Sequence, residues 1–272
     1  MKINWFPGHM AKSINDIENK ARIADLFILV VDGRCPISSL NENFLQIAKQ
    51  KMTLVIVTKI DLADKDKFTK IKKFFTDKKF FVLFVNLRDY SARLEIISYL
   101  NKIFKIKQEK NSTKFFSPSL KCFVVGVPNT GKSTLINLIT KSQLKVGNQP
   151  GITRNNQWIS YDKFLFLDTP GILLPKMDDQ ILAVKLAIIG LIRWEILNIS
   201  DLFIEAYKII SEQYPNFITD LELKPSLIDS EIEENLLILC KNKKFINKSG
   251  LDLPRCRKWF LMHIGKQKIT LD

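Results

Sequence analysis

The sequence has 272 residues, and hydrophobic residues make up 46% of it, which excludes a wholly disordered chain. Its 42 Lys and Arg residues against 28 Asp and Glu residues give a formal net charge of +14, and so basic a protein commonly binds a polyanion. Residues 1–11 lack the apolar core of a secretory signal, and the longest apolar stretch, residues 181–197, is interrupted by charged residues. We therefore expect a cytoplasmic protein that does not span a membrane. The cysteines lack metal-ligand spacing, which predicts reduced thiols: Cys35, Cys122, Cys240 and Cys256.

Short apolar runs rich in β-branched and aromatic residues predict six buried strands, and amphipathic segments between several of them predict helices. The predicted strands span residues 26–31, 53–57, 80–85, 121–125, 157–161 and 164–167. The predicted helices span residues 40–50, 66–76, 92–104 and 133–140. Strands that alternate with helices indicate an α/β domain with a mostly parallel sheet and helices on both faces.

Composition suggests a linker and a second domain. Residues 106–119 are polar and basic and lack periodicity, which predicts a linker within the first domain. From about residue 177 the pattern becomes helical, so we expect an α/β domain over residues 1–176 and a smaller all-α domain over residues 177–272. The charge of this second domain is uneven: residues 200–236 hold nine acidic residues and two lysines, whereas the last 32 residues hold nine basic and two acidic residues.

A possible guanine-reading signature follows the second predicted strand, at residues 58–61, Thr-Lys-Ile-Asp. An aspartate there can accept two hydrogen bonds from the N1–H and N2–H₂ groups of guanine, which adenine cannot donate, while the lysine stem packs along the base. The residues after the third predicted strand are placed to support the base through loop amides. The predicted base-site residues are Thr58, Lys59, Ile60, Asp61, Asn86 and Leu87.

Residues 126–133, Gly-Val-Pro-Asn-Thr-Gly-Lys-Ser, match the phosphate-binding loop G-x-x-x-x-G-K-[ST]. A predicted strand precedes the loop and a predicted helix follows it, as this motif requires. The glycines allow a tight turn that presents backbone N–H groups to phosphate oxygens, the lysine reaches the β- and γ-phosphates, and the serine hydroxyl binds Mg²⁺. The predicted phosphate-site residues are Asn129, Thr130, Gly131, Lys132, Ser133 and Thr134.

Two further segments complete the predicted site for GTP and Mg²⁺. Asp168 follows the last predicted strand and can hold Mg²⁺ through water, while the N–H of Gly171 can meet the γ-phosphate. Thr153 offers a hydroxyl to the same metal from a loop between the two motifs. The predicted metal ligands are therefore Ser133, Thr153 and Asp168.

The order of these motifs is unusual, because the base signature precedes the phosphate loop instead of following it. A linker can join neighbouring termini of a Ras-like fold while new termini open elsewhere, which leaves the sheet and the pocket intact. The order therefore predicts a circularly permuted Ras-like P-loop GTPase domain with a mostly parallel six-stranded sheet, followed by the smaller all-α domain.

In this order the motifs resemble those of circularly permuted bacterial GTPases, specifically the ribosome biogenesis GTPase A family. The resemblance runs nearly end to end and is most specific at residues 5–12, 126–133, 150–153 and 168–176. It implies a GTP-hydrolysing assembly factor in late maturation of the large (50S) ribosomal subunit, stimulated by that subunit. Nucleotide state would control its binding to and release from pre-ribosomal particles, and the basic C-terminal domain would contact rRNA.

Two departures from general GTPase patterns, and one further resemblance, concern single residues. The base signature begins with Thr58 where many GTPases have Asn, but its carboxylate, Asp61, is retained. Ile172 stands where Ras-like enzymes carry the glutamine that orients water, and the resemblance points to His9 as the catalytic group instead. Asn129 resembles the asparagine that binds K⁺ in some related GTPases.

The C-terminal segment intersperses basic and aromatic residues, a composition suited to contact with RNA phosphates and to occasional base stacking. The residues concerned are Lys241, Lys243, Lys244, Phe245, Lys248, Arg255, Arg257, Lys258 and Trp259. Two alternatives remain open at this point: a P-loop kinase or ATPase, and a GTP-dependent RNA-binding module with negligible turnover. We expect a monomer in either case.

Overall fold

The computed structural model describes residues 22–40, 42–110, 119–142, 157–168, 180–194, 197–248 and 250–272. Contacts divide these residues into two compact units. The first unit holds the described residues between 22 and 168, and the second holds those between 180 and 271.

Six strands form one sheet within the described part of the first unit, in the order β3-β2-β1-β4-β6-β5. All neighbouring strands are parallel except β5 and β6, which are antiparallel, so the predicted mostly parallel sheet is confirmed. The strands are β1 (Leu26–Asp32), β2 (Met52–Thr58), β3 (Phe81–Phe84), β4 (Leu120–Val125), β5 (Gln157–Tyr161) and β6 (Phe164–Asp168).

The sheet topology confirms the circular permutation. If the chain is read from β4 through β6 and then from β1 through β3, the strands occupy the sheet in the order second, third, first, fourth, fifth, sixth. That is the arrangement of a Ras-like GTPase domain. The order along the chain is therefore rotated, whereas the order in the sheet is that of the unpermuted fold.

Helices cover both faces of this sheet. The side chains of a strand alternate between the two faces, and apolar side chains on both faces must be buried. Leu26, Ile28 and Val30 of β1 join one buried cluster together with Ile96 and Leu100 of the helix at Ala92–Lys110. The intervening residues of β1 join a second cluster on the opposite face. The helices of this unit are α1 (Glu42–Lys49), α2 (Phe68–Thr76), α3 (Ala92–Lys110) and α4 (Lys132–Thr140), with a short 3₁₀ helix at Lys65–Lys67.

The predicted linker at residues 106–119 is wrong in its first part. Helix α3 continues to Lys110, because residues 105–110 contain no glycine or proline to end it and Lys107 makes tertiary contacts. Residues 111–118 lie outside the described residues, and β4 begins at Leu120.

An ion pair joins the end of α3 to the neighbouring strands. Lys107 Nζ lies 2.8 Å from Asp25 Oδ2 and also donates a hydrogen bond of 3.1 Å to the carbonyl oxygen of Ser119. The same Asp25 oxygen accepts a hydrogen bond of 2.9 Å from the backbone N–H of Lys121. These contacts hold β1, α3 and β4 together where the two halves of the permuted domain are joined.

The second unit is mainly helical, with helices α5 (Gln180–Ile188), α6 (Ile199–Gln213), α7 (Pro215–Thr219), α8 (Asp229–Asn242) and α9 (Leu253–Ile264). Phe203 and Tyr207 of α6 and Phe260 of α9 pack as an aromatic cluster with ring centroids 5.1–5.9 Å apart. Asn198 caps α6 by accepting from the backbone N–H of Ser200 at 2.9 Å.

The expectation of an all-α second domain needs correction. Strands β7 (Ile246–Asn247) and β8 (Gly250–Leu251) pair as a short antiparallel hairpin between α8 and α9. Gly250 has φ of +120°, a conformation that L side chains rarely adopt, so this glycine permits the return of the chain. Strands of two residues leave no periodic signal in the sequence. None of the described helices combines the length and apolar character that a membrane crossing requires.

We predict that Asp25→Asn lowers the free energy of unfolding by about 1–3 kcal/mol, because it removes a charge-assisted contact to Lys107 from a mostly buried joint. Urea unfolding of the full chain measures this value. Lys105→Met is the matched control, since Lys105 is an exposed lysine of the same helix and its removal should change stability by less than about 0.5 kcal/mol. Equal effects of the two substitutions would contradict the role given to the joint.

Candidate nucleotide-binding site

The predicted phosphate loop connects β4 to α4 as a tight turn at the carboxyl edge of the sheet. A Cβ atom on Gly126 would overlap the carbonyl oxygen of Val30, so only glycine allows this approach of the loop to β1. Gly131 has φ of +100°, and a Cβ there would lie 3.1 Å from Leu87 Cδ1. The two glycines of the motif are therefore required by the backbone conformation and by close packing.

Internal hydrogen bonds hold the loop in this shape. The side chain of Thr130 donates to the carbonyl oxygen of Val127 at 3.0 Å, and Lys132 Nζ donates to the same oxygen at 2.9 Å. Lys132 is only 6% exposed, so its ammonium group is confined to the loop. A confined cation beside backbone N–H groups is suited to bind phosphate oxygens.

Helix α4 adds a favourable electrostatic field at the same place. The helix is capped by Gly131, which provides no side-chain hydrogen bond to the first turn. The N-terminus of a helix carries a partial positive charge and attracts anions. Ser133 is half-buried in this first turn, and Thr134 is exposed beside it.

The base signature lies directly against the phosphate loop. Thr58 Oγ1 lies 2.7 Å from the carbonyl oxygen of Thr130 and 3.0 Å from that of Val31, so its single proton is shared between strand β1 and the loop. Leu87, which follows β3, also packs against the loop, since its Cδ1 lies 3.1 Å from the position of a Cβ atom on Gly131. The structure thus brings together sequence-predicted residues of the base site and the phosphate site that are 72 positions apart.

The remaining base-site residues follow the same strand ends. Lys59 adopts φ of +53°, and its Nζ lies 2.8 Å from Asp32 Oδ2. Ile60 and Asp61 are half-buried, and Ile60 packs against the core on one face of the sheet. Asn86 shapes its own turn, because its Oδ1 accepts from the backbone N–H of Arg88 at 3.1 Å.

Asp32 and Arg34 form a buried pair beside this site, and the sequence analysis missed them. Asp32 ends β1 and is fully buried, with Arg34 Nε 2.9 Å from Oδ1 and Arg34 Nη2 2.8 Å from Oδ2. Burial alone would raise the pKa of Asp32, but Lys59 and Arg34 outweigh it and lower the pKa to about 2. The sequence signal that could have indicated this buried pair is Asp-Gly-Arg at the end of an otherwise apolar strand.

Several other predicted site residues lie at or beyond the ends of the described segments. His9, Thr153 and Gly171 lie outside the described residues, as does Ile172. The backbone of Asp168 ends β6 in register with Val124 of β4, two residues before the phosphate loop. This register brings the end of β6 beside the start of the loop.

The described residues fit a magnesium–nucleotide complex. Mg²⁺ at such sites is held largely by nucleotide phosphates and one or two protein oxygens, and the hydroxyl of Ser133 follows the lysine that the phosphates need. A Cβ atom on Gly131 would lie 3.1 Å from Leu87 Cδ1 and 4.0 Å from Thr58 Cγ2, so the loop packs closely against the base-site residues at this glycine.

Comparison with known proteins identifies the family. A family model described as 50S ribosome-binding GTPase matches residues 121–239. Ribosome biogenesis GTPase A of Bacillus cereus is 37% identical over 243 residues, which cover 88% of this chain and 80% of that protein. The chain belongs to the ribosome biogenesis GTPase A family. A probable member from Mycoplasma genitalium is 32% identical over 80% of this chain and 78% of its own length.

Solved structures agree on the fold. GDP-bound YlqF has a TM-score of 0.61 and 22% identity, and the match covers 94% of this chain and 98% of that protein. GNP-bound YlqF from T. maritima has a TM-score of 0.59, with 93% of each chain covered. The family-level prediction is therefore confirmed, and membership makes this chain a GTPase, which removes the kinase or ATPase alternative.

We predict that Thr58→Val weakens GDP binding about tenfold, because the carbonyl oxygen of Thr130 loses its donor and the loop loses its tie to β2. Thr58→Ser is the matched control, since it keeps the hydroxyl and should bind GDP nearly as the parent does. Titration with a fluorescent GDP analogue measures both. Parent-like affinity in Thr58→Val would show that this hydrogen bond does not support the site.

Proposed function

We propose that this GTPase is an assembly factor for late maturation of the large (50S) ribosomal subunit. In its GTP-bound state it binds a pre-ribosomal particle, and GTP hydrolysis, stimulated by that particle, releases it. The observation that carries this proposal is the contact of Thr58 with Thr130, which joins a guanine signature to a phosphate loop. That contact occurs in a chain whose relatives are named for ribosome biogenesis.

Each part of the nucleotide has a candidate partner. Asp61 accepts hydrogen bonds from the guanine edge, while Lys132 and the N-terminus of α4 hold the phosphates. Ser133, Thr153 and Asp168 supply oxygen atoms for Mg²⁺, either directly or through water. The backbone N–H of Gly171 meets the γ-phosphate, so this segment distinguishes GTP from GDP.

The chain connection gives the nucleotide state a direct route to the second unit. In the permuted order, the segment with Gly171 lies in the sequence between β6 and α5, which follow one another among the described elements. A rearrangement of that segment when the γ-phosphate leaves therefore acts on the chain that enters the second unit. In the unpermuted order of a Ras-like domain, three more strands would separate these elements.

We assign rRNA binding to the basic end of the second unit. Lys241, Lys243, Lys244 and Lys248 are exposed around the end of α8 and the hairpin. Arg255 and Lys258 add two exposed cations from α9. Lysines spread over one short hairpin and two adjoining helix ends are suited to contact several backbone phosphates of a folded RNA.

The aromatic residues of this region support the surface more than they offer stacking platforms. Phe245 is buried under the guanidinium of Arg255, whose Cζ lies 5.0 Å from the ring centroid. Lys243 Nζ lies 5.0 Å from the ring centroid of Trp259, which also stacks with the ring of His263. Arg257 pairs with Glu233 at 3.1 Å and is mostly buried, so we remove it from the proposed RNA surface. We therefore propose that this surface binds RNA mainly through lysine contacts with backbone phosphates.

For hydrolysis we propose His9 as the group that orients or deprotonates the attacking water, since Ile172 cannot do so. A potassium ion beside Asn129 would add positive charge near the bridging oxygen between the β- and γ-phosphates. Asn129 is half-buried within the loop and has φ of +63°, a left-handed conformation that asparagine adopts more readily than most residues. We further propose that the protein acts as a monomer in the cytoplasm.

We predict that the protein co-sediments with immature large subunits in the presence of a non-hydrolysable GTP analogue and not with GDP. Lys243→Glu/Lys244→Glu should lower this association about tenfold or more and make it less sensitive to salt, because two phosphate contacts are lost. Lys70→Glu/Lys73→Glu on α2 is the matched control, with the same charge change on an exposed helix of the other unit. Equal loss in both double variants would argue against rRNA binding by the second unit.

We predict that His9→Ala lowers subunit-stimulated GTP hydrolysis about 100-fold or more, because a general base contributes about that much to such a step. Nucleotide affinity should stay unchanged, as single-turnover assays and GDP titration would report. His263→Ala is the control for loss of a histidine and should hydrolyse GTP at the parent rate. Normal turnover of His9→Ala would refute the catalytic assignment and leave the assembly function untouched.

A further inference from the structure

Asp32 is the one fully buried carboxylate whose side-chain contacts the structure describes at the edge of the nucleotide site, and its position is unusual for a charged group. Burial of a carboxylate costs several kcal/mol unless cations and hydrogen bonds compensate it. Here Arg34 forms a two-pronged pair with both carboxylate oxygens and adds a backbone hydrogen bond of 3.0 Å. Arg34 therefore bonds both carboxylate oxygens of Asp32.

Lys59 is a second cation at this carboxylate, and its charge helps to lower the pKa of Asp32. Its Nζ lies 2.8 Å from Asp32 Oδ2, while 31% of its side chain remains exposed. Lys59 is also the lysine of the guanine signature, whose stem is expected to pack along the base. The contact with Asp32 fixes the far end of that stem.

The backbone between Asp32 and Arg34 is pressed against the same signature. The N–H of Gly33 donates to the carbonyl oxygen of Thr58 at 2.8 Å. A Cβ atom on Gly33 would lie 2.9 Å from that oxygen and 3.1 Å from Ala63 Cβ, so a larger residue would push the signature away. Residues 32–34 therefore contact the guanine signature through both a side chain and the backbone.

We propose that Asp32 is a positioning residue for guanine recognition: it holds Lys59 Nζ and so sets the stem against which the base packs. This inference rests on the proposed base site at residues 58–61. Arg34 has no place in base packing: it bonds both oxygens of Asp32 and shares with Lys59 the balance of that buried charge. The alternative role for Asp32 is structural only, in which case nucleotide affinity would follow protein stability.

Two variants separate these roles because they move stability and affinity in opposite directions. Arg34→Met leaves Asp32 with Lys59 as its remaining cation, so stability falls while Lys59 stays held. Asp32→Asn/Arg34→Met removes the buried charge together with its arginine partner, so it leaves no uncompensated carboxylate to destabilise the fold, but it also removes the negative charge that holds Lys59 Nζ. Urea unfolding and titration with a fluorescent GDP analogue are carried out on the same full-length preparations.

We expect Arg34→Met to be less stable than the parent but to bind GDP with an affinity within about twofold. We expect Asp32→Asn/Arg34→Met to recover stability and to bind GDP about tenfold more weakly. In a Lys59→Met background, Asp32→Asn should cause no further loss of affinity, since its effect acts through Lys59. Equal affinities of the two Arg34 variants, or affinity that follows stability in both, would overturn the inference.

The base site itself is tested separately with Asp61→Asn. This variant should lose preference for GDP and gain preference for xanthosine diphosphate, because an amide at this position pairs with the xanthine edge. If Asp61→Asn keeps the parent preference, the proposed base site is wrong. If Asp61→Asn switches preference while Asp32→Asn/Arg34→Met binds GDP normally, the base site stands and the role of Asp32 fails.

Discussion

The hydrogen bond from Thr58 to the carbonyl oxygen of Thr130 is the contact on which the nucleotide site depends. It joins β2, through the base signature, to the loop that follows β4, and β1 lies between these two strands in the sheet. Because neighbouring parallel strands end at the same edge, the two motifs meet without a long loop between them. Gly126 tightens this arrangement by allowing the loop to touch the backbone of Val30. The spacing between base recognition and phosphate binding is therefore a property of the sheet.

A site built on strand ends is independent of the order in which the chain visits the strands. This explains how the chain can be circularly permuted while base signature and phosphate loop remain in contact. The permuted chain instead needs a stable joint between its two halves. Contacts among Asp25, Lys107 and Lys121 hold β1, α3 and β4 together there. The permutation also changes connectivity, since the segment after β6 now leads into the second unit. The rotated chain order thus leaves the pocket unchanged and alters what the pocket is attached to.

Sequence patterns predicted the central strands well because β1, β2 and β4 are short apolar runs that are buried over nearly their whole length. The linker prediction was wrong at its start because residues 106–110 lack helix breakers and Lys107 is held by contacts with Asp25 and Ser119, which a local pattern does not record. The hairpin of the second unit was missed since two-residue strands have no periodicity. Asp32 and Arg34 were missed because their importance lies in burial and in the approach of Lys59, neither of which a motif shows.

The sequence by itself determined the family, the order of the motifs and hence the permuted α/β fold, because loop chemistry and apolar periodicity are local properties of the chain. It also identified which residue types could bind phosphate and guanine. Only the tertiary structure decided how these residues meet: that Thr58 reaches Thr130, that Leu87 faces Gly131, and that a buried carboxylate holds Lys59. These contacts join strands far apart in sequence, and their geometry depends on the register of the sheet. Register is a long-range outcome of packing, which no segment of the chain specifies alone.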